Sequence, residues 1–101
     1  MNIDMIEVVE NNVSFVILPK KGKVLVDNAC FDIEEKKIKE LLDIIRNWDH
    51  EYNDGSYMDG NMFSVSVYYN GKVDKMRGVR GGPINYEAFS QFVRSIVYGR
   101  R

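Results

Sequence analysis

The chain has 101 residues, is 45% hydrophobic and 29% charged, and carries a formal net charge of −1. That balance excludes a disordered or fibrous chain and fits one domain, residues 1–101, around one core. The longest apolar run, Phe15 to Leu18, is far below the roughly 20 residues that span a bilayer. Met1 to Asp4 has neither the basic nor the apolar segment of a secretory leader. A cytoplasmic protein with no membrane partner is the expectation.

Ile6 and Val8, then Val13, Phe15 and Ile17, alternate around Asn11-Asn12. If the asparagines turn the chain, Val8 faces Phe15, Ile6 faces Ile17, and one face is uniformly apolar. Pro19-Lys20-Lys21-Gly22 breaks the run, and Lys23 to Val26 reads as a third strand. Cys30 is the single cysteine. It excludes an internal disulfide and reads as a small buried apolar residue.

A helix is expected over Asp32 to Trp48. Asp32 with Glu35 resembles a capping box, and Glu34 and Glu35 suit the positive end of the helix dipole. Ile38, Leu41, Leu42, Ile45 and Trp48 recur at three- and four-residue intervals and make one apolar stripe. Glu35–Lys39 and Lys36–Glu40 read as solvated pairs on the outer surface.

Asp49 to Asn61 reads as the longest irregular segment. Met62 to Tyr69 then alternates, with Phe63, Val65, Val67 and Tyr69 on one face. Asn70-Gly71 is a strong hairpin signal, because a type I′ turn requires positive φ at both central residues. A two-residue turn sets Val65 against Met76 but Val67 against Asp74, so pattern alone leaves the register of the return strand open. Lys72 to Arg80 is polar enough for an edge strand. The last helix runs from about Tyr86 to Val97. Asn85 stands at its N-cap, Ile84 and Phe89 at the staple positions, and Gly99 after its end. The expected fold is α+β: a small antiparallel sheet of about five strands against two helices, in the order β-β-β-α-β-β-α.

Charge is divided unevenly. Residues 1–71 hold seven Lys/Arg against thirteen Asp/Glu, and residues 72–101 hold seven against two. In the acidic part, Asp49, Glu51, Asp54 and Asp59 are interspersed with Tyr52 and Tyr57. Tyrosine offers a large contact area at low entropy cost, so this segment reads as a protein-binding loop. It does not fit a calcium loop, whose sixth and twelfth positions would be Asp54 and Gly60 instead of glycine and glutamate. The lone His50 offers no metal site, and Ser64 and Ser66 lie in no Gly-x-Ser-x-Gly elbow. Gly78 to Pro83 lacks the lysine spacing of a phosphate loop. The chain is therefore expected to be non-catalytic, without a cofactor. The alternative site is basic: Lys72, Lys75, Arg77 and Arg80 would suffice for salt-sensitive phosphate binding. No nucleic-acid-binding motif accompanies them, which makes a nucleic-acid-associated or regulatory role the weaker reading.

Asp59-Gly60, the alternating Phe63-x-Val65-x-Val67, Asn70-Gly71, Gly78, Pro83-x-Asn85-Tyr86 and Phe89 together form a layout. Over residues 59–97 it resembles that of small bacterial immunity proteins of polymorphic and contact-dependent growth-inhibition toxin systems. The resemblance implies a cytoplasmic inhibitor that binds and blocks one cognate toxin domain, and it carries over no binding residues. Nucleases are common among such toxins, and an acidic loop suits a cleft that otherwise holds phosphate.

Overall fold

The computed structural model describes residues 2–53, 62–79, 83 and 85–99. Seven strands form one sheet: β1 (Ile3–Glu10), β2 (Val13–Leu18), β3 (Lys23–Val26), β4 (Ala29–Asp32), β5 (Glu51–Asn53), β6 (Met62–Tyr69) and β7 (Lys72–Val79). Helices α1 (Glu35–Ile45) and α2 (Tyr86–Val97) follow β4 and β7. Strand order is β4-β3-β2-β1-β6-β7-β5. The α+β class is therefore as expected, but the sheet is larger and mixed. β5 lies parallel to β7, while every other neighbour is antiparallel.

The first hairpin follows the hydrophobic alternation. Val8 pairs with Phe15 and Ile6 with Ile17, because any one-residue slip would turn the whole apolar set to the other face. Asn11 takes the left-handed conformation at the turn, with φ 54°. The second hairpin adopts the two-residue register that sets Val67 against Asp74. Its turn decides the matter: Asn70 and Gly71 have φ of 51° and 73°, as a type I′ turn demands. Asp74 tolerates this place because it lies at the margin of the core face, only partly covered.

Two expectations change around residue 30. Asp27 turns the chain at φ 55°, and Ala29–Asp32 returns as an edge strand on β3. Cys30 is consequently exposed, since the strand alternation points it away from the core. Asp32 belongs to this strand and ion-pairs with Lys23, so it caps nothing. The helix starts later, with Glu34 at the N-cap, and Ile33 tethers the entry through its amide to the Gly22 carbonyl at 3.0 Å. On the surface of α1, Lys39 pairs with Glu35 as expected, and Glu40 pairs with Lys37 instead of Lys36.

Both helices cover one sheet face, and a single core joins them to it. α1 contributes Ile38, Leu41 and Ile45, and α2 contributes Phe89, Phe92, Val93 and Ile96. Beneath them lie Ile6, Val8, Phe15, Ile17, Val24, Val26, Phe63, Val65 and Met76. Phe63 is the hub of an aromatic cluster. Its ring lies 5.2 Å from Trp48, 5.3 Å from Tyr86 and 5.8 Å from Phe89.

Two polar contacts fasten this core at its margin. Glu10 is only 8% exposed and accepts a hydrogen bond from the Tyr86 hydroxyl at 2.6 Å. Burial, and then this bond, push the Tyr86 phenol far above its ordinary value near 10. A folded-state value above the unfolded one stabilises the fold below pH 10, and the contribution is lost as pH rises above that range. Tyr86→Phe should lower stability by about 1–3 kcal/mol at neutral pH, by leaving a buried carboxylate without its donor. Urea melts of the two proteins should converge as pH is raised above 10.

Asn85 stands at the N-cap of α2, but its side chain makes no cap hydrogen bond. Its Oδ1 accepts the Trp48 indole N–H at 2.7 Å, and its Nδ2 donates to the Ile44 carbonyl at 2.7 Å. It bridges the end of α1 to the start of α2. Ile84, the expected staple partner, lies outside the described residues. Asn85→Ala should therefore cost about 1–3 kcal/mol through two unpaired groups. Asn85→Ser, a good cap too short for the bridge, should be nearly as harmful in a thermal melt. Gly99 follows the end of α2 as expected, without a left-handed conformation. A Cβ there would meet the Ser95 carbonyl at 2.6 Å, so close approach explains the glycine.

Candidate interaction site

The acidic segment and the basic strand, two separate candidates in the sequence, lie side by side. β5 docks on β7 with Glu51 beside Arg77 and Tyr52 beside Gly78. The Arg77 guanidinium donates to the Glu51 carboxylate at 2.8 Å and 3.2 Å. One residue earlier, His50 Nε2 lies 2.8 Å from Asp74, and the Arg77 amide donates to the His50 carbonyl at 2.9 Å. The segment expected to be irregular thus contributes the edge strand, and β7, expected at the edge, lies one strand in because β5 pairs with its far end. Asp54, Tyr57 and Asp59 lie outside the described residues, as does Arg80.

Tyr52 is part of the scaffold. Its ring packs against Trp48 at 6.5 Å and Phe63 at 6.2 Å, and its hydroxyl accepts the Asp49 amide at 2.8 Å. Fixed in this way, Tyr52 and Trp48 form the floor of a groove of about 450 Å3, completed by Asp43, Ile44, Asn47, Pro83 and Asn85. Asp43 and Asn47 are exposed at its rim. The Tyr52 hydroxyl holds the backbone of Asp49 beside it, and Asp49 and Glu51 remain exposed. The groove holds two aromatic rings and one carboxylate, Asp43, while Glu51 lies on the opposite sheet face beside Arg77, and both rings are held by contacts that precede any ligand.

Of the residues singled out in the sequence, Tyr52 lines this groove and Asp49 and Glu51 do not; Asp43, Asn47, Pro83 and Asn85 were not singled out as its companions. Asn85 is 37 residues from Trp48, and local pattern carries no information about that distance. The available signal was Trp48 itself, a polar-tipped aromatic ending an apolar stripe, which needs a partner for its N–H.

The basic candidate is weakened by the same geometry. Arg77 is neutralised by Glu51, and Lys72 projects to the helix-covered face of β7 while Lys75 projects to the other. The described members do not make one stripe. Among the described residues no three of His, Cys, Asp and Glu converge as a metal site, and no helix is long and apolar enough to cross a membrane. Comparisons with protein-family models, curated proteins and solved structures give no match.

Proposed function

We propose that this chain is an immunity protein: it binds a cognate bacterial toxin domain, blocks it, and performs no chemistry itself. The observation that carries the reading is the groove lined by Trp48, Tyr52 and Asp43, with the Asp49 backbone held on the Tyr52 hydroxyl. Rigid aromatics in a depression with a carboxylate at hand are the pattern of an interface anchor, because little ordering entropy is lost when a partner docks. The carboxylates suit a partner with basic side chains, as a nuclease cleft has, and a guanidinium can stack on the indole while meeting an acid. The resemblance over residues 59–97 supports the same reading.

Kinetics of binding to a toxin domain encoded beside the gene test it. Asp43→Lys with Asp49→Lys should slow association by about 10-fold or more at low salt, with the difference shrinking as salt is added. Both side chains are exposed, and Asp43 gives up only a surface pair with Arg46, so stability should fall by no more than about 1 kcal/mol. Unaltered association rates would remove the groove from the interface.

A further inference from the structure

The sheet has a second face that, among the described residues, no helix covers. On it, strand pairing aligns the rows Cys30–Leu25–Val16–Glu7–Ser66–Lys75 and Ser14–Val9–Ser64–Arg77–Glu51. An antiparallel sheet with one face in water normally turns polar residues outward. Here Leu25, Met62, Val73 and Val79 are 39%, 51%, 55% and 46% exposed, and half-buried Val9 and Val16 lie between them. Among the described residues the one other large exposed hydrophobic is Tyr98, on the end of α2.

The charges on this face identify what fits it. Lys23, Lys75 and Arg77 are balanced by Glu7, Asp32 and Glu51. Most are already satisfied internally: Lys23 by Asp32, Arg77 by Glu51, and Glu7 by the Tyr68 hydroxyl at 2.6 Å. A neutral, internally paired face does not select a charged partner. It can meet an identical face without like-charge repulsion and without stranding most of its ions. Its size also suffices. Seven strands of three to eight residues, averaging about 20 Å in length at about 4.8 Å spacing, give roughly 600 Å2 per copy, or about 1,200 Å2 in all, at the lower end of the range of stable interfaces.

We infer that two copies of this chain associate through their uncovered sheet faces. The result is a four-layer particle, helices outside and two sheets stacked inside about 10 Å apart, related by a two-fold axis. The Trp48–Tyr52 groove lies on the helix side and stays open in both copies, so the inference extends the function proposed above without competing for its surface.

Sedimentation equilibrium over a dilution series tests it. Wild type should show twice the monomer mass, and Leu25→Glu with Val73→Glu should sediment as a monomer. Both side chains are exposed, so the variant should keep the wild-type circular dichroism and melting curve and still bind the toxin domain. Tyr98→Ser, outside the face, should remain dimeric. A wild-type monomer at every concentration overturns the inference, as does a double variant that stays dimeric. A monomeric wild type whose toxin binding is lost in the double variant would assign the face to the toxin and overturn it equally.

Discussion

Phe63→Ala should lower the stability of this protein by about 3–5 kcal/mol, the cost of deleting a fully buried aromatic ring whose cavity cannot collapse. Phe63 is 1% exposed and meets rings from three separate parts of the chain: Trp48 after α1, Tyr52 in β5, and Tyr86 and Phe89 in α2. All four are anchored by other contacts, so none can move in to fill the space. Edge and tilted ring pairs contribute about 0.5–1.5 kcal/mol beyond area, which places the expectation at the upper end. Denaturant melts give the value. A loss below about 1 kcal/mol would mean that the cluster repacks.

Phe92→Ala is expected to cost a similar 3–5 kcal/mol by a separate route. Phe92 is 2% exposed and sits on the other half of the sheet. It lies 6.5 Å from Phe15, and the Lys37 ammonium stands 5.0 Å over its ring. It shares no ring contact with Phe63 among the described residues, so the two losses should add. A domain of this size has about 5–15 kcal/mol of net stability, and the double variant should be largely unfolded at room temperature. A double-variant loss well below the sum would show that the two halves of the core are coupled.

What could be read from the sequence divides along a physical line. Alternation fixed β1, β2, β3 and β6, because a sheet face shows at every second residue. The 3.6-residue period fixed both helices, and Asn70-Gly71 fixed a turn. β4 was missed because Ala29-Cys30-Phe31-Asp32 is an edge strand of four residues with one half-buried side chain. β5 was missed because its three residues are held by long-range pairing to β7, which no local pattern encodes. The same reason explains Asn85. Its cap position was legible, but its bond to Trp48 was not, and the two roles compete for one side chain. In the candidate site, the acids and the tyrosine were visible as composition. The pairing of Glu51 with Arg77 and the placement of Tyr52 beside Phe63 depended on the parallel pairing that sequence periodicity does not show.

The central claim is that this protein silences a toxin by binding it. The most direct measurement is the activity of the purified toxin domain encoded beside the gene, titrated with the purified chain. The account predicts complete inhibition at a one-to-one ratio of chains, with binding tight enough to give a sharp end point. Toxin activity unaffected by a large excess of folded chain, with no complex detected, would contradict it.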